Sequence, residues 1–171
     1  LSGTVPVGSG GTGAATFAAA GLANTPAFLA TTSASQTGLT DNTATKRLFA
    51  SEIFDTDSAY DTGTSKFTVP VGAAGKYCII ASLNLEAHTV DTAGTIELAI
   101  YLNGATTRNT MLIGAANPCS RFDMNISLMA DLSEADYLEV YGRIDTTNSG
   151  TWHMYTGSGQ NAFGAYKLIG V

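Results

Sequence analysis

The stretch FDTDSAYDTGTSKFTVPVGAAGKYCI, residues 54–79, combines a turn-rich first half with an apolar end. Asp, Thr, Ser and Gly dominate the first half, and these residues favour tight turns. The last four residues open the segment KYCIIASLNL (76–85), which is apolar at both odd and even positions. Successive side chains of a strand point to opposite faces, so a strand of this composition needs cover on both. We therefore predict a strand that lies centrally in a sandwich or faces another subunit.

Period-two alternation of apolar and polar residues continues through the rest of the chain. It is found at residues 95–102, 122–128 and 138–144, and Asn103-Gly104 after the first of these segments favours a tight hairpin turn. The last ten residues, AFGAYKLIGV, are again apolar on both faces. Short strands separated by turn signals, without a helical pattern among them, predict an all-β fold. An antiparallel sandwich or jelly roll fits best.

Five elements of the chain resemble the C1q/TNF-like family and stand in that family's order. Residues 54–79 resemble its opening signature, with an aromatic residue (Phe54), Tyr60-Asp61, Phe67-Thr68-Val69-Pro70 and Gly75-Lys76-Tyr77, although the turn VGAAG (71–75) is longer than usual. The other four are PAFLA (26–30), TKRLF (45–49), LAIYLNG (98–104) and FGAYKL (163–168), the last with Gly and Ala exchanged. The resemblance covers residues 25–171 and implies an antiparallel jelly-roll sandwich that forms a homotrimer. We expect four aromatic residues to be packed in the core or between subunits: Phe67, Tyr77, Phe163 and Tyr166.

The segment VPVGSGGTGAATFAAAG (5–21) has glycines at positions 8, 10 and 13, the G-x-G-x-x-G spacing of a dinucleotide-binding turn. That turn needs an acidic residue about 20 positions further on and a strand soon after its helix. The first acidic residue is Asp41, and the Thr, Ser and Ala residues before it lack a helical period. We therefore interpret residues 1–24 as a Gly/Ala/Thr-rich connector with room for a short helix.

The connector carries a second resemblance. TVPVGSGGTGAAT (4–16) is similar to segments that recur in tail fibres of tailed bacteriophages, often just ahead of a receptor-binding tip. Together with a C1q-like domain, it implies part of a longer fibre protein on a virion. The expected function is binding to a glycan or protein of the bacterial surface. The alternative is a purely structural knob that decorates a capsid or ends a head fibre.

The composition limits the range of partners. Only 13% of the residues are charged, against about 25% in an average soluble domain, so we expect copies of the chain to cover part of its surface. The net charge is −6 and the largest basic cluster is Lys46-Arg47, which argues against nucleic acid. No apolar run of about 18 residues is present, which argues against membrane insertion. Cys78 and Cys119 are too few for a disulfide framework, and a bridge between them stays open.

Residues with catalytic or metal-binding chemistry are sparse and scattered. His88 and His153 are the only histidines, and neither has a partner at zinc-binding spacing. Asp55, Asp57 and Asp61 lack the Gly and Glu of a helix–loop–helix calcium site, so turn formation is the preferred interpretation. We therefore expect no catalytic residues, no cofactor and no metal.

The segment 148–161 has the best chemistry for ligand recognition. It holds the only tryptophan, and flat aromatic rings among small polar residues suit a sugar or protein surface. TWHMY (151–155) also alternates, and the preferred interpretation of it is a strand that turns Trp152 and Met154 into the core. The predicted ligand-binding residues are Trp152, Tyr155, Asn148, Ser149, Gln160 and Asn161.

Overall fold

The computed structural model describes residues 13–14, 23–87, 93–113, 121–156 and 161–169, without the side chains of 108, 109 and 111–113. Within these residues the chain forms thirteen strands and no helix. The strands are β1 (Ala27–Thr31), β2 (Gln36–Thr40), β3 (Thr45–Lys46), β4 (Ser51–Asp55), β5 (Tyr60–Asp61), β6 (Lys66–Thr68), β7 (Gly75–Ala87), β8 (Ala93–Leu102), β9 (Ala105–Ile113), β10 (Arg121–Leu132), β11 (Tyr137–Thr146), β12 (Thr151–Tyr155) and β13 (Ala162–Lys167).

Two antiparallel sheets contain these strands. The larger sheet has the order β2-β12-β7-β13-β1-β4, and β10 pairs with the other edge of β7. The smaller sheet has the order β5-β6-β11-β8-β9, and β3 pairs with β11. Strand β7 is 13 residues long, so β13 and β12 pair along one edge of it, at Tyr77–Ser82 and Asn84–Ala87 respectively. The prediction of an all-β antiparallel jelly roll is confirmed.

The core lies between the two sheets and follows the alternation of each strand. In β7 the odd-numbered residues from Tyr77 to Ala87 face the smaller sheet and are buried. Gly142 of β11 faces side chains of β7 and β12 across the core. A Cβ atom at this position would lie 3.0 Å from Cδ2 of Leu85 and 3.3 Å from Sδ of Met154. The sheets approach this closely because position 142 carries no side chain.

An aromatic cluster joins the two sheets. Phe28 of β1 stacks on Phe67 of β6, with ring centroids 4.8 Å apart, and Phe163 of β13 meets Phe28 edge-on at 4.9 Å. Tyr77 of β7 completes the cluster at 5.9 Å from Phe67. Phe67, Tyr77 and Phe163 have no exposed surface, and burial raises the pKa of Tyr77 to about 12. Aromatic residues from distant parts of the chain therefore pack around the stretch 54–79.

One strand is shorter than the sequence predicts. In TKRLF only Thr45–Lys46 forms a strand. Arg47 turns inward instead, fully buried, and its guanidinium donates to the carbonyls of Ala34 at 3.1 Å and Met154 at 3.0 Å. Burial lowers the pKa of Arg47 to about 10. In the segment 148–161, TWHMY forms strand β12, as its interpretation as a strand had it.

Candidate functional site

Trp152 lies in the core and not on the surface. Its exposed fraction is 0%, and its indole N–H donates to the carbonyl of Thr40 at 2.8 Å. In β12 it pairs with Ala87 on β7 and with Leu39 on β2. The prediction that Trp152 presents a face for a sugar is wrong, because β12 is paired on both sides and its alternate residues must face inward. Met154 is buried in the same way, so the interpretation of TWHMY as a strand that turns both residues into the core is confirmed.

Asn161 is also buried, and its side-chain amide is used inside the protein. Its Oδ1 accepts a hydrogen bond from the backbone N–H of Asn84 at 3.0 Å. Its Nδ2 donates to the carbonyl of Tyr155 at 2.7 Å. The amide thus joins the end of β12 to β7. The predicted role of Asn161 in binding a ligand hydroxyl is therefore wrong for this conformation.

The remaining residues of the predicted site do not converge on one point. Asn148 and Ser149 are exposed in the turn before β12. Tyr155 is half-buried on the outward face of β12, with its ring centroid 4.8 Å from the guanidinium carbon of Arg121. Gln160 lies outside the described residues. The structure therefore leaves Asn148, Ser149 and Tyr155 accessible as separate groups.

The outward face of the larger sheet carries apolar side chains at the end where the chain enters β1. Ile80, Met129 and Tyr166 are 43%, 75% and 40% exposed. A Cβ atom at Gly164 would lie 3.2 Å from Cδ1 of Leu29, so the glycine lets Leu29 lie flat on the sheet. We call this surface the apolar face. It consists of two neighbouring cross-strand rows, one with Phe54, Leu29, Gly164 and Ile80 and the other with Ala27, Tyr166, Cys78 and Met129.

Further along the strands, the same outward surface becomes polar. Glu86 of β7 lies opposite Arg121 of β10, and Nε of the arginine donates to Oε2 of the carboxylate at 2.8 Å. In the next row Nδ2 of Asn84 donates to Oδ1 of Asp123 at 2.6 Å. The outward surface of the larger sheet is thus divided into an apolar end and an ion-paired end.

The outward face of the smaller sheet carries three partly exposed tyrosines on two neighbouring strands. The rings of Tyr101 on β8 and Tyr141 on β11 stack, with centroids 4.0 Å apart. Tyr137, four residues before Tyr141, lies beneath Lys66, whose Nζ is 4.0 Å from the ring centroid. Tyr137 and Tyr141 lie on one face of the sheet, because residues at a spacing of four along a strand point to the same side.

A carboxylate and two lysines lie among these tyrosines. The Glu139 side chain is 8% exposed, and its Oε1 is 3.1 Å from Nζ of Lys46 and 4.0 Å from Nζ of Lys66. The hydroxyl of Tyr141 donates to Oε2 of Glu139 at 3.4 Å. Burial, and then the charge of Glu139, raises the pKa of Tyr141, so this hydroxyl keeps its proton. We call the whole surface the tyrosine face: Tyr101, Tyr137, Tyr141, Glu139, Lys46 and Lys66.

The sequence contained a signal for the tyrosine face. The pattern Tyr-x-Glu-x-Tyr at 137–141 places three polar side chains on the outward side of one strand. Nothing local shows that Lys46 and Lys66 lie beside them. Those lysines belong to β3 and β6, which pair with different parts of β11.

The acidic run 55–61 forms turns, as the preferred interpretation had it. The Asp55 carboxylate accepts from the backbone N–H groups of Asp57 at 3.2 Å and Tyr60 at 2.7 Å. Asp61 accepts from the N–H of Gly63 at 2.8 Å and the hydroxyl of Thr64 at 2.7 Å. The described part of the chain contains no group of three or more His, Cys, Asp or Glu side chains that could hold a metal. The carboxylates of Asp55 and Asp61 therefore serve as hydrogen-bond acceptors within the turns of the segment 55–64.

Comparisons with known proteins identify the fold. No protein-family model and no curated protein sequence matches the chain. Among solved structures, murine APRIL superposes with a TM-score of 0.60 at 10% identity, covering 83% of this chain and 98% of APRIL. Eiger TNF from S. frugiperda gives 0.57 at 15% identity, covering 85% and 93%. The globular domain of zebrafish complement 1qA gives 0.56 at 12%, covering 84% and 98%.

The chain therefore has the TNF/C1q-like jelly-roll fold. At these identities the likeness establishes the fold alone. Among the described residues, no helix has the length and apolar character to cross a membrane.

Proposed function

We propose that this chain is the homotrimeric, non-enzymatic tip domain of a tailed-bacteriophage fibre, located on the virion, and that it binds a glycan or protein of the host surface. The observation that carries the proposal is the apolar face on a TNF/C1q-like jelly roll. Residues 1–24 are then the connector to the rest of the fibre, and residues 25–171 are the tip.

The apolar face supports self-association. An antiparallel sheet with one face on the core usually presents polar residues on the other. Here Met129 and Tyr166 flank Cys78 in one cross-strand row, and Ile80 lies two residues further along β7 in the next row. A contiguous exposed apolar patch marks an interaction surface. The C1q/TNF-like resemblance implies a homotrimer, and three copies around one axis would cover this face in each.

The connector supports the placement on a fibre. Its glycine-rich segment resembles segments that precede receptor-binding tips in phage tail fibres. Each copy of a trimer offers the same site, so avidity would exceed single-site affinity by about 10²–10⁴. Weak individual contacts with a repetitive cell surface would then be sufficient for attachment.

The first experiment measures the mass of the chain by light scattering at micromolar concentration. The expected mass is three times the 17.6 kDa of the chain. Ile80→Asp should give a folded monomer, because it places an unpaired carboxylate in the contact. Val71→Asp is the matched control, since Val71 is 90% exposed and lies outside the apolar face. A wild-type monomer, or an Ile80→Asp protein that stays trimeric, contradicts the proposed assembly.

The second experiment measures attachment of the labelled protein to bacterial cells and locates the chain on particles by electron microscopy. Attachment by the trimer and loss of attachment by the Ile80→Asp monomer are expected. A trimer that is found on particles and attaches to no cell would instead favour the structural knob.

A further inference from the structure

We propose that the tyrosine face binds an acidic glycan, with a sugar carboxylate on Lys66 and the sugar hydroxyls on the tyrosines. This inference rests on the proposed function, because it names the surface and the ligand class through which the tip recognises its host. It replaces the segment 148–161 as the predicted binding site, because Trp152 and Asn161 of that segment are used inside the protein.

The charge arrangement favours an anionic group. Two ammonium groups, those of Lys46 and Lys66, share the single buried carboxylate of Glu139. These three side chains have a formal charge of +1 on a chain whose net charge is −6. Asp61 lies opposite Lys66 in the β5–β6 register, and its carboxylate accepts hydrogen bonds from the N–H of Gly63 and the hydroxyl of Thr64. Lys46 is the nearer partner of Glu139 at 3.1 Å and also donates to the carbonyl of Thr64 at 3.0 Å. Lys66, at 4.0 Å and with a side chain 33% exposed, is the cation placed to meet a ligand.

Pre-organisation of the surface favours a sugar over a flexible partner. Lys66 is held over the ring of Tyr137 at 4.0 Å, and a cation at that distance is attracted by the face of the ring. Tyr101 and Tyr141 hold each other by stacking. The groups are therefore fixed before binding, and little conformational entropy is lost when a rigid ring is bound. Tyrosine supplies both an apolar ring and a hydroxyl, as a sugar requires.

The position of the tyrosine face leaves it open in the proposed trimer. It lies on the outward side of the smaller sheet, whereas the apolar face lies on the outward side of the larger sheet. The two faces are separated by the full thickness of the sandwich, because the core lies between the sheets. Three copies that associate through the apolar faces would present three tyrosine faces to the surroundings.

The experiment titrates the trimeric protein with an oligogalacturonate, which has one carboxylate per sugar ring, and with its neutral methyl ester. Binding is followed by calorimetry. The test variant is Lys66→Gln, and the matched control is Lys76→Gln, which loses the same charge from an exposed position on the outward side of the larger sheet. Light scattering verifies that both variants remain trimers. Tyr137→Phe removes one hydroxyl and keeps the ring beneath Lys66.

We expect the acidic oligosaccharide to bind and the methyl ester to bind at least about tenfold more weakly, as loss of a charge-assisted hydrogen bond implies. Lys66→Gln should weaken binding by a similar factor, Tyr137→Phe by less, and Lys76→Gln should leave it unchanged. Binding should also weaken as the ionic strength rises from about 0.01 to 0.15 M, which shortens the Debye length from about 30 to 8 Å.

Three results would overturn the inference: no binding of the oligogalacturonate at millimolar concentration, equal binding of the acid and its ester, or unchanged binding by Lys66→Gln. The proposed function is contradicted by different results, namely a monomeric chain or a trimer that attaches to no cell. If the wild-type and Lys66→Gln trimers attach to cells equally well, the proposed function stands and the tyrosine face is excluded as the binding site.

Discussion

Replacing Trp152 by phenylalanine removes one hydrogen bond and part of a buried ring, whereas replacing it by alanine empties a site in the core. The indole N–H donates to the carbonyl of Thr40 at 2.8 Å, and Thr40 itself is exposed, so water can reach that oxygen. We therefore expect Trp152→Phe to lower the free energy of unfolding by at least about 1 kcal/mol, to which the lost part of the ring adds. Trp152→Ala should lower it by about 3–5 kcal/mol, because the residue has no exposed surface.

The assay is thermal melting followed by circular dichroism at one fixed protein concentration. For a chain of this length each kcal/mol lowers the melting temperature by about 2–4 °C. The expected shifts are then at least about 2–4 °C for Trp152→Phe and about 6–20 °C for Trp152→Ala. Asn148→Ala is the control, since an exposed residue in the neighbouring turn should change stability by less than about 0.5 kcal/mol.

Fluorescence gives an independent measurement, because Trp152 is the only tryptophan of the chain. Its emission should be blue-shifted and poorly quenched by acrylamide in the native protein, and should shift to the red on unfolding. Cell attachment by Trp152→Phe should match that of the wild type. A Trp152→Ala protein with wild-type melting, or a native emission like that of indole in water, would refute the burial and restore the exposed site.

Three further predictions test the core, the buried cation and a turn. Phe67→Ala should lower the free energy of unfolding in urea by about 3–5 kcal/mol, because Phe67 stacks on Phe28 in the core; unchanged stability would mean that the aromatic cluster does not join the sheets. Arg47→Met should lower the free energy of unfolding by at least about 2 kcal/mol, since the carbonyls of Ala34 and Met154 lose their donor, and should speed amide exchange in β2. A more stable variant would show that burying the guanidinium costs more than its hydrogen bonds contribute. Hydrogen bonds from the side chain of Asn103 and a backbone N–H lower the pKa of Asp136 below its ordinary 3.8. Its contribution to stability is therefore complete above about pH 4 and is lost as the pH falls through the lower folded-state pKa. Asp136→Asn should flatten this acid limb of the stability curve, and an unaltered limb would contradict the hydrogen bonds that Asp136 accepts from Asn103 and from the N–H of Ser133.

Local pattern alone was sufficient for much of the fold. Residues 95–102 alternate, and the structure has β8 there, followed by a turn in which Asn103 and Gly104 have φ of 52° and 80°. Only residues that tolerate positive φ fit such a two-residue hairpin, so its sequence signal is specific. The apolar segment 76–85 likewise lies within the longest strand, β7. These features depend on residues close together in the chain, and the sequence therefore determined them.

Tertiary structure decided which of the candidate groups reach the surface. Trp152 is buried because β12 pairs with β2 on one side and with β7 on the other. Both strands are more than sixty residues away in the sequence, and no local pattern encodes that pairing. Arg47 turns inward because carbonyls from two distant segments offer acceptors. The tyrosine face exists because β11 brings Lys46 and Lys66 to Glu139 from separate strands. Strand pairing between distant segments sets the neighbours of each side chain, and those neighbours decide whether a polar or aromatic residue serves the core or a ligand.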